Sequence, residues 1–169
     1  SKMIGTIIGD IVGSRFEFHN TNSVDFELFT PECSFTDDTI CTVAVADALL
    51  RDEDFVKVIH EWCRRYPCPM GGYGGRFAQW VRSDNPQPYD SFGNGSAMRV
   101  SPCGYISNLD DALRRAEASA SCSHNHPDGV RGAVVVAHAI WLLRQGASKE
   151  DIQKLVEEEY GYEIRGISV

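Results

Sequence analysis

From residue 39 onward the apolar residues recur at helical spacing, and no run alternates with period two for long enough to build a sheet. That pattern predicts an all-α chain. Between Asp54 and Tyr66, the residues Phe55, Val58, Ile59, Trp62 and Tyr66 form one continuous apolar stripe that a helix can bury. Thr39 to Leu50 is Ala-rich and follows Asp37 and Asp38, acidic residues that favour a helix N-terminus. Gly75 to Arg82 is a shorter helix, bounded by Gly71-Gly72 and by the Pro86/Pro88 segment. Asn108 caps a helix over Leu109 to Ser121, with Leu109, Ala112, Leu113 and Ala116 on its buried face. Pro127 to Gln145 is the next, stopped by Gly146. Ser148-x-x-Asp151 reads as a capping box opening a helix through Tyr160, which Gly161 closes.

Two regions resist this pattern. Ile4 to Val12 is rich in β-branched residues and suits a strand on propensity, yet Ile4, Ile7, Ile8 and Ile11 also fall at helical spacing. Phe16 to Ser34 mixes aromatic, acidic and small polar residues without period and reads as a long loop, a kind of segment that tends to be functional.

Length and charge narrow the partners. The 169 residues make one domain, 1–169, without repeats or linkers. A net charge of −8, with no basic cluster longer than Arg64-Arg65 or Arg114-Arg115, argues against nucleic acid as a ligand. The most apolar stretch, Ala133 to Leu143, is interrupted by His138 and falls short of the ~20 residues a membrane helix needs. Ile4 to Val12 carries Asp10 and no small-residue cleavage site, so it does not read as a signal peptide. The six cysteines contain no Cys-x-x-Cys and fit no zinc template. They are expected to be reduced thiols of a cytoplasmic protein, several of them in the core.

Four clusters can carry chemistry. Thr36-Asp37-Asp38-Thr39 offers only hard oxygen donors, which suit Mg²⁺ or Mn²⁺. The plain alternative is an N-cap with an acidic first turn, which leaves unexplained why Thr flanks both sides. Gly9-Asp10-Ile11-Val12-Gly13-Ser14, followed by Glu17, is a second acidic cluster. Burial between Phe16 and Phe18 would raise the pKa of Glu17 and suit acid/base work, while a Gly-x-x-x-Gly packing surface with an exposed Glu is the simpler reading. Ser91-Phe92-Gly93-Asn94-Gly95-Ser96-Ala97-Met98-Arg99 runs from a Gly-rich loop into a short helix, a junction able to cradle phosphate or merely to turn the chain. Tyr73 and Tyr89 could stack on a base or pack. In His124-Asn125-His126-Pro127 the imidazoles could bind a ligand or cap a helix, whereas His138 reads as a hydrogen-bonded core histidine.

Taken in order, Gly-Asp-x-x-Gly-Ser…Glu, Phe-Thr-Asp-Asp-Thr, Tyr-Gly-Gly-Arg-Phe, Gly-Asn-Gly-Ser-Ala-Met-Arg and Ser-His-Asn-His-Pro resemble the ADP-ribosylglycohydrolase family along essentially the whole chain. The resemblance implies an all-α, orthogonally packed multi-helix bundle with a two-magnesium centre, Mn²⁺ being the alternative ion. It implies hydrolysis of the glycosidic bond joining ADP-ribose to a protein side chain or small molecule. Thr36, Asp37 and Asp38 would be metal ligands, and Glu17 would sit beside the scissile bond. Ser91, Gly93, Asn94 and Gly95 would line the diphosphate and ribose pocket, His124 would touch the distal part of the substrate, and Asp10 would have a supporting role.

One departure stands out. The family completes its metal centre with a C-terminal Asp-x-Asp-Thr, and this sequence reaches Val169 without one. Asp52-Glu53-Asp54 is followed by Phe55 at a helix start and does not substitute. The resemblance therefore implies a bundle lacking the family's C-terminal helices, as part of a longer protein or as a shortened form. Apolar surface left uncovered would favour a homo-oligomer. A non-catalytic module binding ADP-ribose or nucleotide, or a structural member of the family, is the competing expectation.

Overall fold

A computed structural model describes residues 4–163 and is helical throughout, with no strand among the described residues. The helices are α1 (Ile4–Gly13), α2 (Asp37–Arg51), α3 (Phe55–Arg65), α4 (Gly75–Arg82), α5 (Gly95–Met98), α6 (Leu109–Ser121), α7 (Pro127–Arg144) and α8 (Lys149–Lys154). Short 3₁₀ turns at Ser14–Phe16 and Ser101–Tyr105 extend the pattern.

Local chemistry sets the helix starts. Thr36, Asp54, Asn108, His126 and Ser148 each accept a backbone N–H from the first turn they cap, which satisfies a donor the helix itself cannot. At Ser148 and Asp151 the bonds are reciprocal, as the capping-box pattern requires. Gly146 (φ +92°) and Gly161 (φ +70°) adopt the left-handed conformation that ends the segments before them. The last helix differs from the expectation. It is α-helical only to Lys154, and Leu155–Glu159 widens into a π-type turn. That turn brings the Tyr160 hydroxyl to within 2.9 Å of His138 Nδ1, the hydrogen-bonded core histidine expected from its apolar face.

Packing then selects among the ambiguous segments. α2 lies on α3 and α6 on α7, with the Ser101–Tyr105 turn wedged against α7. Val45, Val58, Ile59, Cys63 and Val100 are fully enclosed, and a buried Val or Ile contributes about 1.5–3 kcal/mol relative to exposure. Trp80 stacks on Phe77 at 5.4 Å and donates its indole N–H to Cys122 O, tying α4 to the end of α6. All six cysteines are free thiols, four of them buried. No helix among the described residues is long and apolar enough to cross a membrane.

Ile4 to Val12 forms α1, and there is no sheet among the described residues to receive a strand. It packs on α2 but has no buried residue, and Ile4 and Ile8 are 50% and 42% exposed. Its glycines do not serve as a helix-packing surface, since a Cβ at Gly9 or Gly13 would meet nothing within 4 Å. Residues 17–35 form the expected loop.

Gly104 is where close packing is most demanding. A Cβ there would lie 2.6 Å from Ile140 Cγ2 and 3.0 Å from the Ala137 carbonyl, both on α7. Gly104→Ala is expected to destabilise the fold by about 1–3 kcal/mol, the usual cost of overpacking. Urea denaturation checks it, and an unchanged midpoint would contradict the wedge.

Candidate functional site

The site is built on two walls. The first begins at Asp10 on α1. Its carboxylate accepts from Thr36 N (2.9 Å), Thr36 Oγ1 (2.6 Å) and Thr39 Oγ1 (2.5 Å). Both threonines flanking Asp37-Asp38 are thereby explained: they clamp α1 to the start of α2. Thr36 Oγ1 also caps α2 by accepting from Asp38 N at 3.2 Å, so the N-cap reading is correct. That use leaves one oxygen lone pair of Thr36 free for a ligand.

Asp37 and Asp38 are half-buried and make no ion pair among the described residues. Burial raises the pKa of Asp37, and the Glu17 and Asp10 charges raise it further. Asp38 is pushed up to about 6 by burial and then by Asp37, Asp10 and Glu17. Four carboxylates thus repel one another at one end of α2. Hard oxygens carrying uncompensated negative charge fit Mg²⁺ or Mn²⁺. Among the described residues, however, no group of three or more His, Cys, Asp or Glu side chains gathers where it could hold a metal ion.

Glu17 departs from one expectation. It is exposed and not buried between its aromatic neighbours, because Phe16 turns to Phe26 (5.2 Å) and to the Arg15 guanidinium (4.5 Å) while Phe18 stays in solvent. Its carboxylate lies against Gly71 instead. A Cβ at Gly71 would come within 2.6 Å of Glu17 Oε2, and φ there is +79°, so glycine is required twice over. A single bridge between Thr36 and Met70 sets that turn beside the acidic wall.

The second wall is the Ser91–Gly95 loop and the entry to α7. Tyr89 N donates to Ser123 O (3.1 Å), Asp90 N to Asn125 Oδ1 (2.7 Å) and Ser96 Oγ to Gly129 O (3.1 Å). Gly129 admits the loop, since a Cβ would stand 2.6 Å from Ser91 O. Ser91 Oγ accepts from Gly93 N, whereas the Asn94 side chain caps nothing. His124 is buried, with Nδ1 2.8 Å from Ser123 Oγ and Nε2 at the surface of Gly95. Burial, and secondarily the Arg99 charge, pushes its pKa down to about 4.

A cleft of about 250 Å³ joins the walls, with Asp37 and Asp38 on one side and Ser91, Gly93, Asn94, Gly95 and His124 on the other. Glu17 and Thr36 adjoin the acidic side without lining the cleft: the Glu17 charge acts on both Asp37 and Asp38, and Thr36 Oγ1 accepts from Asp38 N. Tyr89 lines the cleft under the Arg76 guanidinium, while Tyr73 packs, donating its hydroxyl to Tyr66 O (2.6 Å). Sequence reasoning gave no separate role to Arg99, which closes the Ser91–Arg99 cluster and lies buried beneath the second wall, or to Gly71, which it used only as a helix boundary. A cation closing an otherwise apolar Ala97-Met98 segment and a doubled glycine were the signals available.

The fold and the cleft define an all-α protein with an acidic wall facing a Gly-rich one. A model of the ADP-ribosylglycohydrolase family matches residues 2–165, and the chain belongs to that family. It is 30% identical to the ADP-ribosylhydrolase ARH3 of Mus musculus over 183 aligned residues, covering 88% of this chain and 50% of that protein. The Homo sapiens ADP-ribosylhydrolase ARH3 gives the same identity and coverage. An uncharacterized protein of Escherichia coli K12, YegU, is 31% identical across 68% of this chain and 39% of its own. The chain spans about half the length of the ARH3 relatives it matches.

Burial of the acidic wall, and then charge repulsion within it, has a measurable consequence. The Asp38 pKa in the fold is about 6 against an ordinary value of 3.8, so the folded state binds the proton more tightly than the unfolded chain. Stability from this group therefore falls as the pH rises from about 4 to about 6. In EDTA, Asp38→Asn is expected to melt higher than the unsubstituted protein at pH 7, with the difference shrinking toward pH 4. Equal melting temperatures across that range would refute the uncompensated charge.

Proposed function

We propose that this protein is a magnesium-dependent hydrolase that cleaves the glycosidic bond between ADP-ribose and a protein side chain or small molecule. The observation that carries this reading is the cleft itself, in which a desolvated, unpaired carboxylate pair faces a Gly-rich loop and His124. Membership of the family and likeness to ADP-ribosylhydrolases support it.

The roles follow from the residue types. Cleavage of a ribosyl bond builds oxocarbenium character on the sugar, so the site must orient the ribose, deliver a water and stabilise the departing group. Gly93, Asn94 and Gly95 offer close backbone approach and an uncommitted amide to the diphosphate and ribose, with Ser91 shaping the turn. His124 contacts the far part of the substrate. Thr36, Asp37 and Asp38 would hold the divalent cations, Mg²⁺ or Mn²⁺. When bound, these ions supply positive charge that holds hydroxyls and acidifies water. Glu17, propped on Gly71, moves the proton between water and leaving group.

A second reading is favoured by one observation: among the described residues Asp37 and Asp38 belong to no group of three or more His, Cys, Asp or Glu side chains that could hold a metal ion. On it, the chain binds ADP-ribose, or an ADP-ribosylated protein, without turnover. Free thiols throughout suit a cytoplasmic location. The exposed Ile4, Ile8 and Phe18 offer apolar area to a second copy.

Calorimetric titration with ADP-ribose, with and without Mg²⁺, separates binding from inertness, and turnover of ADP-ribosylated arginine or serine separates the two readings. Glu17→Gln is expected to keep ADP-ribose affinity while losing about 10²–10⁴-fold in hydrolysis. A variant that binds and also turns over at the unsubstituted rate would remove Glu17 from the chemistry.

A further inference from the structure

Arg99 follows α5 and is only 2% exposed, yet no carboxylate pairs with it among the described residues. Its Nη2 donates to Ser119 O (2.6 Å), Ser123 Oγ (2.7 Å) and Cys122 Sγ (3.4 Å), and its guanidinium stands 5.7 Å over the Phe77 ring. Its Nε is buried and finds no acceptor among the described residues. A permanent cation is thus held by a carbonyl, a hydroxyl, a thiol and an aromatic face.

Proton accounting along this chain of contacts favours one arrangement over the alternative, in which Ser123 Oγ accepts from both Arg99 and an Nδ1–H and turns its own hydrogen to the weakly accepting Cys122 thiol. Arginine can only donate, so Ser123 Oγ must accept from it. The Ser123 hydroxyl hydrogen then needs an acceptor, and His124 Nδ1 lies 2.8 Å away. Nδ1 therefore carries a lone pair, and the neutral ring keeps its proton on Nε2. Nε2 has no hydrogen-bond partner among the described residues and stands where a side chain on Gly95 would begin, 3.1 Å from that position.

We propose that Arg99 and Ser123 are positioning residues that fix His124 as the neutral Nε2–H tautomer, so that the second wall presents a permanent uncharged donor to an oxygen of the bound ligand beside Gly95. The ligand's identity as ADP-ribose rests on the function proposed above; the state of the imidazole does not. Protonation would set an Nδ1–H against the Ser123 hydroxyl hydrogen and place a second cation near Arg99. The lowered pKa of His124 agrees. Around the ring stand Arg99 beneath, Tyr89 at 5.5 Å between centroids, and Arg76, Asp37 and Asp38 elsewhere on the cleft, so no carboxylate contacts the imidazole.

The test is a long-range ¹H–¹⁵N correlation spectrum of the full chain labelled at histidine, from about pH 5.5 to about pH 8, with His124 assigned by its loss in His124→Gln. The expected result is a protonated Nε2 and an unprotonated Nδ1 at every pH. A protonated Nδ1, or a titration within that range, would overturn the proposal. Ser123→Ala should let the Nδ1–H tautomer appear and weaken ADP-ribose binding about tenfold, the loss of one oriented donor. A variant with unaltered tautomer would equally overturn it. If the unsubstituted protein gives the expected tautomer but ignores ADP-ribose, the functional reading fails and the positioning stands; ADP-ribose binding with an Nδ1–H ring is the reverse.

Discussion

The Asp10 carboxylate takes three hydrogen bonds from the N-cap and first turn of α2, and the acidic wall owes its shape to them. Hydrogen bonds to an ionised acceptor are roughly twice as strong as neutral ones. They hold Thr36 in the extended conformation of an N-cap, and that conformation aims Asp37 and Asp38 into the cleft. The clamp also adds a negative charge close to the two carboxylates it positions, which contributes to raising both their pKa values. Stability of the acidic wall is traded against charge density, a compromise that protonation or a bound cation would relieve.

The opposite wall reverses this sign. Arg99 places a buried positive charge under His124, and the loop glycines Gly93 and Gly95 line the same space. A ligand able to bridge the cleft would carry anionic oxygens toward the Gly-rich wall and hydroxyls toward the acidic one. The neutral imidazole between them suits this division. It donates without adding a charge that Arg99 would repel.

Much of this was legible in the sequence. Helical periodicity, Asn108, Pro127 and the Ser148/Asp151 pair located helix starts to within a residue or two, because caps and stripes are local signals. The clusters around Asp37, Gly93 and His124 were visible as well, and they do share one cleft. What local pattern could not carry was long-range pairing. Asp10 and Thr36 are 26 residues apart, so nothing in either segment identifies the hydrogen bond that explains both threonines. Glu17 was left between burial and exposure for the same reason. Of the two readings the exposed one holds: Phe16 finds Phe26 across the loop and leaves the carboxylate outside, resting on Gly71. The Leu155–Glu159 turn was invisible because its widening serves a contact with His138 on α7.

Arg99 is the clearest case of a residue whose meaning is topological. An arginine after Ala97-Met98 reads as an ordinary helix C-terminus, where a cation is favourable and solvated. In the fold the same side chain runs inward to the end of α6, where Ser119 O, Cys122 Sγ and Ser123 Oγ receive it. Isolated charges are costly to bury without an ionic partner. Cheaper ways exist to fill the space, since an apolar side chain of similar volume would need no acceptors. The polar contacts must therefore be weighed by what they orient. Of the three, two end on the α6 terminus itself, and the third passes through Ser123 to the one imidazole that faces the cleft.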